Sequence, residues 1–307
     1  MKTSTLTIAL GVQLLLVALV WGLQTGGGEE PDAFLSFDVA AVDSLSVADD
    51  EQSVTVTRAE GAWTVAGGLP ADASKVDRVL DKLADADGGW PVATSASAMT
   101  RFEVTEDEHQ RHIVVDAGDE TLADVYLGTS PSYQRVHARH ASGGPVYAID
   151  FSNYEAGAEV SDWLQKSLLQ PDGTLQSVAR AGEPGWTLTS TDDGWTSEGV
   201  TIDQDEAAEY TARFTGLSVL GIVDVELPEE PTARFVLADV AGAHELTLFH
   251  LEEEDDYVAT SSRYDGKFEI AKYVAERLDA SLDDFVAEPE DASEDAGPTD
   301  PEEDGAA

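Results

Sequence analysis

Histidine pairs are the first side chains whose spacing suggests chemistry in this sequence. His109 and His112 are three residues apart, and His137 and His140 repeat that spacing. On a helix, this spacing could bring two imidazoles together. His137 and His140, however, lie in a strand-like run, where an odd separation places them on opposite faces. Because catalytic zinc needs three protein ligands, we predict polar surface histidines and no metal site.

Two arginines could bind an anion or a partner. Arg135 and Arg139 share one face of a predicted strand, in a chain with 61 acidic and 17 basic residues. A buried arginine is normally paired. The pattern therefore favours internal salt bridges to neighbouring acids over anion or partner binding.

A short aspartate motif could begin a cation site. Asp85 and Asp87 precede Gly88 and Gly89 and look like the start of a calcium loop. The glutamate that closes an EF-hand loop is missing. Because glycine is common just after a helix, we predict that this motif is a helix end stopped by glycine.

Other catalytic motifs are missing from the sequence. The chain has no cysteine, which excludes a thiol nucleophile or a thiolate zinc site. Gly216, Ser218 and Gly221 have the wrong spacing for a nucleophile elbow, and no phosphate-binding glycine loop occurs. With 61 acids, close carboxylate pairs are expected by chance. We predict no enzyme, no catalytic or metal-ligating residue and no cofactor.

The chain is strongly acidic, with a formal net charge of -44. The acids are spread along the sequence, and salt screens such a self-repelling surface. This composition favours a salt-adapted protein, with a surface for cations or a basic partner as the alternative. Nucleic acid is disfavoured as a partner, because the sequence has no cluster of lysine and arginine.

The sequence begins with a segment that could cross a membrane. Leu6 to Leu23 carries no charge and has about the length that a helix needs to span a bilayer. Lys2 precedes it and acids follow, so the positive-inside rule places the amino terminus in the cytoplasm. We predict a single-pass anchor in the cytoplasmic membrane, with residues 6–23 in the lipid bilayer and the rest outside. A cleaved signal peptide is the alternative.

An internal repeat follows the anchor. Val54–Trp63 aligns without a gap with Trp186–Trp195, and both read as hairpins that place Trp63 and Trp195 in the core. The pattern predicts a duplicated α+β module with antiparallel sheets. The predicted organisation is an anchor at 1–24, a linker at 25–36, a first repeat at 37–170, a second repeat at 171–286 and a disordered acidic tail at 287–307.

Each repeat contains two predicted helices. Asp72 caps the first helix of the first repeat, and Asp203 with Glu206 forms a capping box at its counterpart. Apolar stripes at helical spacing follow these caps: Val76, Val79, Leu80 and Leu83 in the first repeat, and Ala207, Tyr210, Phe214 and Leu217 in the second. The closing helices are predicted at Val160–Leu169 and Tyr273–Phe285.

Six short motifs occur along the first repeat: GAWTV, LPADASKVDRVLDKL, Leu127-Gly128, Tyr133 with Arg135, VYAID and DWLQKSLL. Together they resemble the domain of unknown function 4340 family. The likeness covers about Phe37 to Leu169 and continues more weakly to Phe285. It implies a membrane-tethered extracytoplasmic domain, often encoded beside an ABC transporter and a large gliding-motility-type membrane protein. It implies no catalytic residues.

The predicted function follows from the anchor, the repeats and this resemblance. We expect a non-enzymatic accessory or assembly component of an ABC-type transport system, with membrane transport subunits as partners. Two alternatives stay open: an extracytoplasmic hydrolase or metal-dependent enzyme, and a ligand-holding domain with a site between the repeats.

Overall fold

A computed structural model of the chain describes residue 13 and residues 33–287. The predicted anchor, apart from residue 13, lies outside the described residues, as do residues 25–32 of the predicted linker and 288–307 of the predicted tail. Within the described part, no helix is long and apolar enough to cross a membrane. The described chain divides into two compact units, one of 33–168 with 219–224 and one of 169–218 with 225–287.

The first unit is built on an eight-stranded antiparallel sheet. Its strands are β1 (Ser44–Ala48), β2 (Ser53–Ala59), β3 (Ala62–Val65), β4 (Leu69–Pro70), β5 (Arg111–Ala117), β6 (Glu120–Leu127), β7 (Val136–His140) and β8 (Tyr147–Ile149), in the spatial order β4-β3-β2-β1-β5-β6-β7-β8. The α-helices are α1 (Ala73–Ala84), α2 (Ala96–Arg101) and α3 (Val160–Trp163). Helix α2 was not expected from the sequence.

The second sheet also has eight strands. They are β9 (Ser177–Ala181), β10 (Trp186–Thr191), β11 (Gly194–Thr196), β12 (Val219–Ile222), β13 (Ala233–Asp239), β14 (Gly242–Leu251), β15 (Asp256–Ser261) and β16 (Phe268–Ile270). Strand β12 is grouped with the first unit, and the second unit has the order β11-β10-β9-β13-β14-β15-β16. Its helices are α4 (Gln204–Thr215), α5 (Lys272–Leu278) and a 3-10 turn at Leu282–Phe285.

The two units repeat one strand order. The order β3-β2-β1-β5-β6-β7-β8 of the first unit corresponds to β11-β10-β9-β13-β14-β15-β16 of the second. The backbone N–H of the residue that precedes the longest helix, α1 or α4, also bonds to a backbone carbonyl in both units. Asp72 donates to the carbonyl of Trp163, and Asp203 donates to the carbonyl of Phe285, both at 2.8 Å. The predicted α+β fold with two antiparallel sheet modules is confirmed.

The two main helices begin and pack as predicted. Asp72 Oδ1 accepts a hydrogen bond from the N–H of Lys75 at 3.0 Å, and Asp203 Oδ1 accepts from Glu206 at 3.1 Å. All eight residues of the two apolar stripes are buried. The reciprocal bond of a capping box does not form at Asp203, because its N–H is donated to Phe285 instead.

The two closing helices are shorter than predicted. Helix α3 ends at Trp163, because Leu164 takes an extended conformation and pairs with Ala71 as an isolated bridge. In the second unit, α5 ends at Leu278, and a separate capping box at Ser281 starts the 3-10 turn. Both predictions are therefore wrong in length, since a pairing distant in sequence ends the first helix and a new cap divides the second.

The tryptophan of the second hairpin is another correction. Trp63 is buried as predicted, but Trp195 is only half-buried. The buried tryptophan of the second unit is Trp186, whose ring lies 5.5 Å from Tyr210 and 5.4 Å from Phe285. Its indole N–H donates to the carbonyl of Ala280 at 3.1 Å. An aromatic cluster thus forms the second core at the start of β10 rather than in β11.

A side chain occupies the hydrogen-bonding positions of β11. Gln204 Oε1 accepts from the N–H of Trp195 at 2.7 Å, and Gln204 Nε2 donates to the carbonyl of Trp195 at 2.8 Å. Because an open strand edge invites pairing with another chain, this glutamine protects the strand at that residue.

Candidate functional site

The histidines singled out by their spacing take up structural positions. His137 in β7 is buried rather than at the surface, since the ring of Phe102 stacks on it at 4.0 Å. Its Nδ1 lies 2.9 Å from Thr129 Oγ1. The ring of His140 contacts a different aromatic residue, Phe34, with ring centroids 4.5 Å apart. The prediction of a surface position is wrong for His137, which forms part of the packing between β7 and α2.

The other histidine pair flanks a tyrosine. His109 and His112 have ring centroids 5.8 Å apart, and each contacts Tyr126, at 5.0 and 4.7 Å. His112 Nε2 lies 2.7 Å from Asp124 Oδ1. Over the residues that the structure describes, no three His, Asp or Glu side chains are arranged to hold a metal ion.

The two arginines bind backbone carbonyls in place of carboxylates. Arg135, which precedes β7, donates through Nη2 to the carbonyl of Ala148 in β8. Arg139 Nε donates to the carbonyl of Val104 at 2.7 Å. Among the described residues neither arginine forms a salt bridge, so the prediction of salt bridges is wrong. A guanidinium has several donors in a fixed plane, and here these donors bind backbone carbonyls of other segments.

The aspartate motif after α1 also differs from the prediction. The helix ends at Ala84 with Asp85 as its C-cap residue, at φ -91°, so Gly88 does not stop it. Gly88 is required for packing instead, because a Cβ there would lie 2.6 Å from the ring of Tyr147. Asp87 Oδ1 accepts from the N–H of Gly89 at 2.8 Å.

A chain of polar side chains crosses one end of the first sheet. Gln110 Nε2 donates to Glu103 Oε2 at 2.6 Å, so its Oε1 faces Asn153 and accepts from Nδ2 at 2.6 Å. Asn153 Nδ2 donates also to the carbonyl of Gly128 at 2.9 Å. Both amide hydrogens of Asn153 are thus used, and its buried Oδ1 has no partner among the described residues. This oxygen can accept one more hydrogen bond.

An open acidic pocket of about 450 Å³ lies at the same end of the sheet. It is lined by Asp49, Asp50, Glu51, Glu103, Glu108, His109, Gln110 and Arg111. Arg111 Nη1 lies 3.3 Å from Asp49 Oδ2. Burial raises the pKa of Asp49, but hydrogen bonds from the N–H groups of Glu51 and Gln52 and the charge of Arg111 lower it overall. Such a pocket can attract a cationic group, although Arg111, which is one of its lining residues, already pairs with Asp49.

A buried charge cluster lies in the second unit. Asp239 has a fully buried side chain and accepts from Arg263 Nη2 at 2.5 Å and from the N–H groups of Asp172, Ala241 and Gly242. Burial raises the pKa of Asp239, but the Asp172 N–H and Arg263 outweigh burial and lower it to about 2. A carboxylate with so many donors is fixed in its ionised form.

His244 completes this cluster. Its side chain is 2% exposed, and its Nδ1 lies 4.0 Å from Asp239 Oδ2. Neither ring nitrogen has a hydrogen-bond partner within the described residues. Burial and the charge of Arg263 lower the pKa of His244, although Asp239 and Asp172 oppose the shift. The folded protein therefore favours the neutral ring.

The pKa of His244 leads to a pH-dependence prediction. Below the ordinary histidine pKa of about 6.5, the unfolded chain binds a proton that folded His244 resists, so this group reduces stability as pH falls. We expect the melting temperature of wild type to fall between pH 7.5 and pH 5.5 more steeply than that of His244→Leu. Parallel pH profiles for the two proteins in thermal melts would contradict this account.

Two segments of the first unit that pack together contain no acidic residue. Asp and Glu supply 61 of 307 residues, yet none occurs in residues 88–102 or 125–149. These two segments pack together: Val92 N–H donates to the carbonyl of Val146, and Val146 N–H donates to Ala93, both at 2.8 Å. Met99 and Phe102 also pack against Tyr126 and Val146. We call the exposed part of residues 88–102 and 125–149 the acid-free surface.

Large aromatic side chains are exposed on the acid-free surface. Trp90 is 75% exposed, Tyr133 is 88% exposed and Val92 is 48% exposed. Val92 bonds to Val146, directly before β8, so Trp90 lies near the start of that strand. Tyr133 precedes β7, whose Val136 pairs with Ile149 at the other end of β8. Exposed aromatics thus lie near both ends of β8.

The charge pattern could have revealed this surface from the sequence alone. The distance from Asp124 to Asp150 without an acid is unusual in a chain where about one residue in five is acidic. The pairing of this segment with residues 88–102 could not be foreseen, because it depends on contacts between residues distant in sequence. The hydrogen bonds that join Glu103, Gln110 and Asn153 could not be foreseen from the sequence for the same reason.

Gly128 supports this region, and its replacement by alanine tests the packing. A Cβ at Gly128 would lie 1.9 Å from the carbonyl oxygen of Phe102 and 2.4 Å from that of Glu103. These are backbone atoms, so the loop must move, and we expect Gly128→Ala to lower the free energy of unfolding by about 1–3 kcal/mol. Gly216→Ala is the control, since its nearest atom is 3.3 Å away. Equal losses of unfolding free energy for the two variants in chemical denaturation would contradict the close approach of Gly128 to the carbonyls of Phe102 and Glu103.

Comparison with known proteins places the chain in a family. The model of the family described as "Domain of unknown function (DUF4340)" matches residues 63–234, which is more than half of the chain. The chain therefore belongs to this family, as its sequence motifs predict. No curated protein and no solved structure matches it.

Proposed function

We propose that this chain is a non-enzymatic, membrane-tethered accessory or assembly component of an ABC-type transport system. Residues 6–23 serve as its anchor in the cytoplasmic membrane, the amino terminus lies in the cytoplasm, and both sheet modules lie outside. The uncharged run from Leu6 to Leu23 and the family membership support this proposal.

One observation carries the proposal: four side chains of types that often act in catalysis are held by structural partners. Arg135 and Arg139 bind backbone carbonyls, and His137 lies under Phe102. Asp239 is saturated by Arg263 and backbone N–H groups. A catalytic acid, base or nucleophile must instead reach a substrate. These groups serve the fold, which is typical of a binding or scaffolding module.

The acidic composition fits an environment with high salt. A net charge of -44 repels itself less when the screening length falls to about 3 Å at molar salt. Membrane transport subunits are the proposed partners. The chain needs no cofactor for this role and does not bind nucleic acid.

Co-purification in mild detergent tests the proposed function. The full chain, extracted from its native membrane at high salt, should retain a transport ATPase and a permease that mass spectrometry identifies. A Leu15→Arg variant, which places a charge inside the apolar run, is the control and should lose these partners. Recovery of the chain alone, together with hydrolysis of a model ester that one Asp→Asn change abolishes without unfolding, would support an enzyme instead.

A further inference from the structure

We infer that the acid-free surface lies against the lipid headgroups of the membrane that holds the anchor. This inference rests on the proposed function, because it requires residues 6–23 to span the bilayer. It adds an orientation for the first unit and assigns lipid as the direct contact of this surface.

The point at which the chain joins the first unit supports this orientation. Phe34 N–H donates to the carbonyl of Ala86 at 2.9 Å, and its ring contacts His140 at 4.5 Å and Tyr147 at 5.3 Å. Phe34 therefore lies against the acid-free segment 125–149, and its bond to Ala86 places the exposed Asp85 and Asp87 beside the same point. Only residues 24–33 separate Phe34 from the apolar run, and ten residues span at most about 35 Å. The acid-free surface thus lies close to the point where the tether enters the unit.

Charge gives a second, independent argument. Anionic headgroups give a membrane a negative surface potential, and this chain has a net charge of -44. A surface that carries acids is repelled by such headgroups when it lies within a screening length of them, which is about 3 Å at molar salt, so the repulsion acts on the surface in direct contact. The acid-free surface avoids this repulsion, and Arg101, which is exposed beside Phe102, adds a positive charge.

The exposed aromatic residues fit the headgroup region. Tryptophan and tyrosine concentrate at membrane interfaces, where their rings meet the apolar boundary and their polar atoms stay in water. Trp90 and Tyr133 are both mostly exposed. The largest aromatic side chains of this surface are therefore of the two types that membrane interfaces prefer.

Fluorescent labelling of the full chain tests this inference. The chain has no cysteine, so Trp90→Cys, Tyr133→Cys and Ala62→Cys each provide a single labelling site. The control is Ala62→Cys, because Ala62 is exposed in β3 of the same unit and β3 lies six strands away from β8 in the sheet. Each labelled chain is reconstituted alone in vesicles of phosphatidylcholine and phosphatidylglycerol that contain a headgroup-attached nitroxide quencher.

Labels at positions 90 and 133 should be quenched several-fold more than the label at position 62. Adding Arg101→Glu should reduce that quenching. Equal quenching at all three positions, in vesicles that keep the chain after a carbonate wash, would overturn the lipid contact alone and would leave this surface to a protein partner. Loss of the chain in the carbonate wash would overturn the anchor of the proposed function, and the lipid contact with it.

Discussion

Replacing Trp186 by alanine is expected to lower the free energy of unfolding by about 3–5 kcal/mol, the usual range for truncating a buried tryptophan. Trp186 is buried against Tyr210 and Phe285, and its indole N–H bonds to Ala280. The change removes the apolar area, the edge-on ring contacts and the hydrogen bond together. Urea unfolding of the full chain in mild detergent, followed by far-ultraviolet circular dichroism, measures the loss.

Trp195→Ala is the matched control for this prediction. Trp195 has the same size but is only half-buried in β11, so its replacement should cost clearly less. The internal repeat aligns Trp195 with Trp63 and would give it the core position. A larger loss for Trp195→Ala than for Trp186→Ala would show that Trp195 is the core tryptophan of the second unit, as the repeat predicts.

Replacing Asp239 by asparagine should lower the free energy of unfolding by about 2–3 kcal/mol, because a buried carboxylate that accepts charge-assisted hydrogen bonds is lost. Arg263 keeps its ion pair with Asp172 at 3.3 Å, so its charge is not left without a partner. Arg263 would lose its buried carboxylate, and the N–H groups that share Asp239 would face a neutral amide. Glu245→Gln is the control, since its ion pair with Arg234 is about half exposed on both sides. That change should cost less than about 1 kcal/mol.

The pH dependence of Asp239 provides a second measurement of the same cluster. Its pKa in the folded protein is about 2, below the ordinary value of 3.8. A lowered pKa stabilises the fold above about pH 3.8, and this contribution is lost as pH falls toward 2. Wild type should therefore lose stability over that interval more steeply than Asp239→Asn. Superimposable acid profiles would show that folding does not lower the pKa of Asp239 and would contradict this account.

Local patterns predicted the parts of the fold that local forces determine. Asp72 and Asp203 cap their helices, and the apolar stripes after them are buried, because both features depend on residues within a few turns. The duplication of the module was also predicted, and both units share the strand order of seven strands. These features required only periodicity and capping chemistry.

Contacts between distant residues account for the predictions that were wrong. Helix α3 stops at Trp163 because Leu164 pairs with Ala71, almost a hundred positions earlier in the chain. Arg135 and Arg139 were expected to find acids, but each lies beside a backbone carbonyl of another segment. No window of the sequence contains both partners of these contacts, so neither periodicity nor composition could supply them.

The candidate surface was missed for a different reason. Catalytic and metal-binding motifs consist of residues that are present, whereas the signal in residues 125–149 is the absence of acidic residues. In a chain of this charge, a stretch without carboxylates is more informative than any single histidine or arginine. Its meaning became clear only when residues 88–102 were found beside it.

Protease treatment of intact, wall-stripped cells tests the central claim most directly, because every part of the proposed function depends on a tethered module outside the cytoplasm. The account predicts that added protease digests both sheet modules, while a fragment containing residues 6–23 stays in the membrane fraction after a carbonate wash. Protection of both modules until the cells are lysed, or release of the intact chain by carbonate, would contradict it.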